Sequence, residues 1–188
     1  MSLLIAGLVL FLGVHFVPTV PALRDAAVTR LGEQRYKGAF SVASGVGLLL
    51  IIAGFALADR GPQLFAPVIA ARMIAPLVVM VALILIAAAN MPSHIRATLR
   101  HPMLIGVLLW SGVHFLASGS LRASLLFGAF FVWSALDLVS AMMRGATRRF
   151  TPQARYDAMS IGGGILLALL LMAAHRYLFG VRVVAFSL

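Results

Sequence analysis

An all-α polytopic membrane fold with about six transmembrane helices is what the sequence predicts, and three observations predict it. Apolar runs recur along the whole chain, each roughly twenty residues long, the length a helix needs to cross a 30 Å hydrocarbon core. Hydrophobic residues make up 62% of the 188 and charged residues 11%, where a soluble domain carries roughly a quarter charged. Gly61-Pro62, Met91-Pro92-Ser93 and Thr151-Pro152 punctuate the spaces between runs, as helix breakers do. Backbone polar groups in lipid must pair within their own segment, so such runs take helical form.

The first run, about Leu3 to Ala22, has no basic segment ahead of it. No small-residue cleavage site follows, and it is expected to stay as a helix rather than leave as a signal peptide. The second, about Gly38 to Ala58, gathers Ser41, Ala43, Ser44, Gly45, Gly47 and Gly54, small residues that let helix backbones approach closely. The third runs from about Arg72 to Asn90, with Phe65 to Ala71 before it as a candidate short interfacial helix. The fourth, about Pro102 to Gly119, opens on a proline, which suits a first helical position. The fifth covers about Leu121 to Met142, and the sixth about Ser160 to Phe179, with Gly162, Gly163 and Gly164 inside it. Residues 1–188 read as a single transmembrane domain.

The net charge is +10, which in a soluble protein would point to nucleic acid. Here the cations lie between apolar runs, so membrane lipid with anionic headgroups is the expected partner and nucleic acid is not. Arg24, Arg30, Arg35, Lys37, Arg96, Arg100, Arg144, Arg148, Arg149 and Arg155 fall on one side of a six-span topology. Arg60, Arg72, Arg122, Arg176 and Arg182 fall on the other. The richer side is expected to be cytoplasmic, which places both termini outside. The chain has no cysteine, which excludes disulfides, thiolate metal sites and cysteine nucleophiles.

Polar groups within apolar helices are costly and mark candidate sites. His15, His114 and Asp137 are the three that stand out. Both histidines sit in Gly-Val-His-Phe, at Gly13 to Phe16 and Gly112 to Phe115, with Gly7 and Gly106 two turns earlier. The first and fourth spans open two three-helix halves, so this repetition suits an inverted repeat. Two neutral imidazoles on facing helices can fill both axial positions of a haem iron; each could equally hydrogen-bond a neighbouring helix. Gly106, Trp110, Ser111, His114, Ala117 and Ser118 share one face of the fourth span, where small residues would admit a macrocycle and Trp110 would wall it. At about 1.5 Å per residue, His101 and His114 match the depth of His15 equally poorly. Asp137 is a candidate partner for a ligand histidine, or for Arg100 or Arg144. Of the remaining histidines, His94 and His101 lie in or beside the third loop, and His175 lies near the outer end of the sixth span.

Arg100-His101-Pro102-Met103-Leu104 followed by Trp110 and His114, Leu31-Gly32-Glu33 with Tyr36-Lys37-Gly38, Ser41 and Ser44, Leu126-Phe127-Gly128 with Trp133 and Asp137, and Leu10 to His15 together resemble the NnrU family of bacterial membrane proteins. The resemblance implies the bacterial cytoplasmic membrane and a link to nitrite and nitric oxide metabolism in denitrification. The family is similar to 15-cis-zeta-carotene isomerase, a membrane enzyme with haem b. By that likeness His15 and His114 would be iron ligands and catalytic residues, and Gly106, Trp110, Ser111, Arg100, His101 and Asp137 would line the cofactor. It implies either redox-dependent cis-trans isomerisation of a carotenoid-like, hydrophobic substrate or a nitrogen-oxide role. The isomerase has a cysteine where this chain has Ser111, which sets its ligand-exchange mechanism apart. A small membrane protein that binds haem or a partner without turnover is the non-enzymatic alternative. Arg100-His101-Pro102 with Gly106 also looks like a motif of membrane methyltransferases that use S-adenosylmethionine. Those enzymes carry paired glutamates, and the single glutamate here, Glu33, argues against that reading.

The topology is directly testable. Cysteines introduced into the loops after the first and fifth spans should resist an impermeant reagent applied from outside, and one placed after Arg182 should react. The reverse pattern would invert the orientation.

Overall fold

The computed structural model describes residues 1–145, 150–180 and 183. The described residues form eight helices, and their only β feature is an isolated antiparallel bridge, Gln63 with Ser120. They are α1 (Ser2–Thr19), α2 (Pro21–Leu31), α3 (Glu33–Leu57), α4 (Ile69–Ala88), α5 (His94–Leu99), α6 (Pro102–Ser118), α7 (Leu121–Met143) and α8 (Ala154–Phe179). Five of these, α1, α3, α4, α7 and α8, are long and apolar enough to cross a membrane. The expected fourth span, α6, is apolar and 17 residues long, at the short end of what spans a bilayer. Leu49 is 67% exposed and Met73 76% exposed. Large apolar side chains turned outward on this scale suit lipid rather than water. This is an all-α, multi-pass membrane protein.

The helices fall into two compact units, Met1–Phe65 with Gly119–Arg144, and Ala66–Ser118 with Gly145–Leu188. Each unit thus draws helices from both halves of the chain, α7 grouping with α1 and α3, and α8 with α4 and α6. Hydrogen bonds from Arg122 and Ser140 of α7, and from Arg144 at its end, to carbonyls at the ends of α1 and α3 tie α7 into the first unit.

In the first unit α1 packs against α3 and α7. A Cβ built on Gly7 would lie 2.6 Å from the Ile51 nitrogen, and one on Gly47 would lie 2.9 Å from the Phe11 nitrogen. Gly54 meets the Leu4 backbone just as closely. These three contacts fix an antiparallel register along α1 and α3. Pro18 lacks an N–H and sits in the last turn of α1, which ends at Thr19. Val20 is extended and Pro21 occupies the first turn of α2, where its missing donor costs nothing. The carbonyls of that last turn are tied to α7: Ser140 Oγ donates to Thr19 O at 2.9 Å and Arg144 Nη1 to Pro18 O at 3.1 Å. Gly32, at φ 77°, turns α2 into α3. At the far end of α3, Arg122 Nη1 donates to Phe55 O (2.9 Å) and Ala58 O (2.7 Å), while its guanidinium lies 4.4 Å from the Phe55 ring centroid.

In the second unit α4 packs against both α6 and α8. Gly106 faces Ala82 O, 2.7 Å from its would-be Cβ, and Gly164 faces Ile84. Arg72 Nε donates to Ala117 O at 2.9 Å and covers the end of α6. The N-terminus of α5 is capped twice. Ser93 Oγ accepts from Arg96 N (3.1 Å), and Asp157, in the first turn of α8, accepts from Ile95 N (3.0 Å) and His94 N (3.2 Å). Asp157 also bonds His94 Nδ1 at 2.7 Å.

Phe65 to Ala71 does not form the separate helix expected of it. Val68 N–H is spent on Leu116 O at 2.9 Å, which holds the backbone extended until α4 starts at Ile69. Arg148, Arg149 and Arg182, which entered the orientation argument, lie outside the described residues.

Gly54→Val should destabilise the first unit by about 1–3 kcal/mol through overpacking. The same change at Gly13, which has nothing within 4 Å of a Cβ, should cost much less. Thermal unfolding in one detergent compares them, and equal losses would remove the helix-contact role of Gly54.

Candidate functional site

His15 and His114 have the same local construction in separate units. His15 Nδ1 lies 2.7 Å from Phe11 O, and His114 Nδ1 lies 2.8 Å from Trp110 O. Each partner is the carbonyl one turn back, and in both cases the residue there is aromatic. A carbonyl oxygen only accepts, so Nδ1 carries the proton of the neutral ring. The lone pair is thereby assigned to Nε2, the nitrogen through which such a ring would bind a metal. Each histidine is half-buried. The glycine two turns earlier also has the same task in both helices, Gly7 against α3 and Gly106 against α4.

Around His15 the first unit builds an aromatic enclosure. The Phe11 ring stacks on the imidazole at 4.2 Å between centroids, Phe40 of α3 stands at 5.0 Å and Trp133 of α7 meets it edge-to-face at 5.6 Å. Phe40 was not among the sequence candidates, because the α1–α3 register that brings it in is set by distant glycines. Phe11 had a local signal, an aromatic residue one turn before the histidine, repeated as Trp110. In the second unit the Trp110 ring lies 5.5 Å from His114.

The other candidates divide. The space expected at Gly106 is filled by α4, so that glycine serves helix packing and leaves no room there for a macrocycle. Ser111 is fully buried, and its hydroxyl donates to Val107 O at 2.6 Å, a bond within its own helix. Asp137 lies 3.7 Å from Arg144 Nη2, which realises one of the three pairings open to it. Arg100 is exposed and ends α5 with φ 61°, a left-handed conformation unusual outside glycine. His101 is half-buried, directly ahead of Pro102, the first residue of α6. His94 is held by Asp157, and the His175 ring lies 4.9 Å from Phe179 on α8. Among the described residues no three His, Cys, Asp or Glu side chains gather as a metal site. Iron held by a macrocycle needs only two axial donors from the protein.

Pro18, three residues past His15, removes one helical hydrogen bond. The end of α1 is nevertheless clamped by Ser140 and Arg144, so the proline gives His15 less freedom than its chemistry alone would allow.

Residues 3–183 match the family described as NnrU protein. The chain belongs to the NnrU family. The match runs through both units and takes in His15, Trp110, His114, Trp133 and Asp137. No curated protein and no solved structure matches the chain. The NnrU assignment establishes the kind of membrane protein.

Proposed function

We propose that this NnrU-family protein binds haem b within the membrane, with His15 and His114 as axial ligands. The observation that carries the reading is their shared construction. Each imidazole sits in an apolar helix, has Nδ1 fixed by the carbonyl of an aromatic residue one turn back, and so directs its lone pair to Nε2. The donor set suits the group: neutral imidazole is a good iron ligand, and the aromatic walls at Phe11, Phe40, Trp133 and Trp110 suit an apolar macrocycle.

Bound haem would supply a one-electron centre, usable for redox-gated isomerisation of a hydrophobic polyene or for binding a nitrogen oxide. The chain's own residues hold the imidazoles in one tautomer, exclude water from their faces and clamp the end of α1. Ser111 bears on which use applies. Its hydroxyl donates to Val107 O, and a serine hydroxyl lacks the thiolate chemistry of the isomerase's cysteine. That favours a second reading, in which the haem handles nitrogen oxides or electrons and no polyene is turned over.

Protein produced with ample haem should show a low-spin, bis-histidine visible spectrum. His15→Ala and His114→Ala should each lose most of the haem or turn it high-spin, while His101→Ala keeps it. Folded, colourless protein that ignores added haem would sink the proposal. Conversion of a poly-cis carotenoid under dithionite, absent without it, would establish isomerisation. No conversion, with nitric oxide altering the reduced spectrum, would establish the second reading.

A further inference from the structure

We propose that Trp133 and Ser44 are the hydrogen-bond donors for a carboxylate of the group that His15 binds. This rests on the haem reading above. Trp133 is 6% exposed, and its indole Nε1–H is buried with no hydrogen-bond partner. Buried indole N–H groups ordinarily find an acceptor. Ser44 Oγ is likewise buried and unpartnered. Other buried serines use the carbonyl one turn back: Ser111 bonds Val107 O, Ser134 bonds Phe131 O and Ser160 bonds Tyr156 O. Ser44 makes no such bond, although Phe40 O lies one turn behind it.

These two idle donors flank one imidazole. The Trp133 ring stands 5.6 Å from the His15 ring. The contacts Leu4–Gly54, Gly7–Ile51 and Phe11–Gly47 continue one turn further to bring Ala43 level with His15, and Ser44 is the next residue. Phe40, one turn before Ser44, is already in ring contact with His15. A single level of the first unit therefore presents a nitrogen lone pair, an N–H, an O–H and aromatic walls.

That combination is complementary to a ligand with an electron-poor centre for His15 and an anionic oxygen for the two donors. Haem b has both, an iron and two carboxylates. A carboxylate in an apolar setting must be met by donors, and hydrogen bonds to a charged acceptor are about twice as strong as neutral ones. In this assignment Trp133 and Ser44 fix the rotational setting of the macrocycle about the axis through His15.

The test is a titration of purified, haem-free full-length protein, followed at the Soret band, with haem b and with its dimethyl ester. The variants are Trp133→Phe and Ser44→Ala. Ser44→Ala is the gentler change and keeps the result readable where the larger one perturbs folding. Against haem b each variant should bind about tenfold more weakly than the wild type. Against the ester, whose carboxylates carry no charge, the variants and the wild type should agree within about twofold. Variants that bind haem b like the wild type would overturn the assignment and leave the haem reading standing. Equal weakening toward haem b and ester would also overturn it, because packing alone would explain the loss. A wild type that takes up neither would overturn both readings.

Discussion

A carbonyl freed at a helix end has no water to turn to inside a bilayer, and this constraint organises the structure. The chain meets it with side chains delivered from far along the sequence. Arg122 serves the end of α3, Arg72 the end of α6, and Ser140 with Arg144 the end of α1. Each bond satisfies a polar group and fastens a helix to a partner at one height. Several cations that count toward topology in a charge census are thus structural donors. Of the five cations on the less basic side of the expected topology, Arg72 and Arg122 are such donors.

Close packing supplies the rest. Lipid tails are as apolar as leucine, so helix association within the membrane depends on surface fit. Gly7, Gly47 and Gly54 bring α1 and α3 into backbone contact, and Gly106 and Gly164 do the same for α4 with its neighbours. The enclosure around His15 follows from that fit. Phe40 and Trp133 reach the imidazole because α3 and α7 are held at a set height against α1.

What the sequence made legible was what depends on local pattern. The six apolar helices stand close to their expected positions, since length and hydropathy decide them. Pro102 opens α6, and Asp137 meets Arg144 seven residues on. The starts of α3 and α8 came earlier than expected, at Glu33 and Ala154, because polar first turns continue a helix that hydropathy cannot see. The bond from Asp157 to His94 was illegible, joining residues 63 apart. The grouping of α7 with α1 and α3 was equally hidden, since it depends on long-range fit. Of the candidate site, the histidines were visible as polar exceptions in apolar runs. Their tautomers were not, because a tautomer is read from a bonding partner. Gly106 was a plausible opening in sequence, and the structure closed it with α4.

The division of the helices also bears on how the protein is made. The first unit takes α1, α2 and α3 from the start of the chain and α7 from well beyond its middle. Chains are synthesised from the N-terminus, so the α1–α3 hairpin and the glycines that join it are made first. The segments of α4, α5 and α6 are all made before α7. During that interval the carbonyls of Pro18 and Thr19 have neither Ser140 nor Arg144, the end of α3 lacks Arg122, and His15 has no Trp133 beside it. The insertion of α7 supplies all of these at once. The enclosure of His15 is therefore a late event in biogenesis, and a chain arrested before α7 would carry the histidine without its setting.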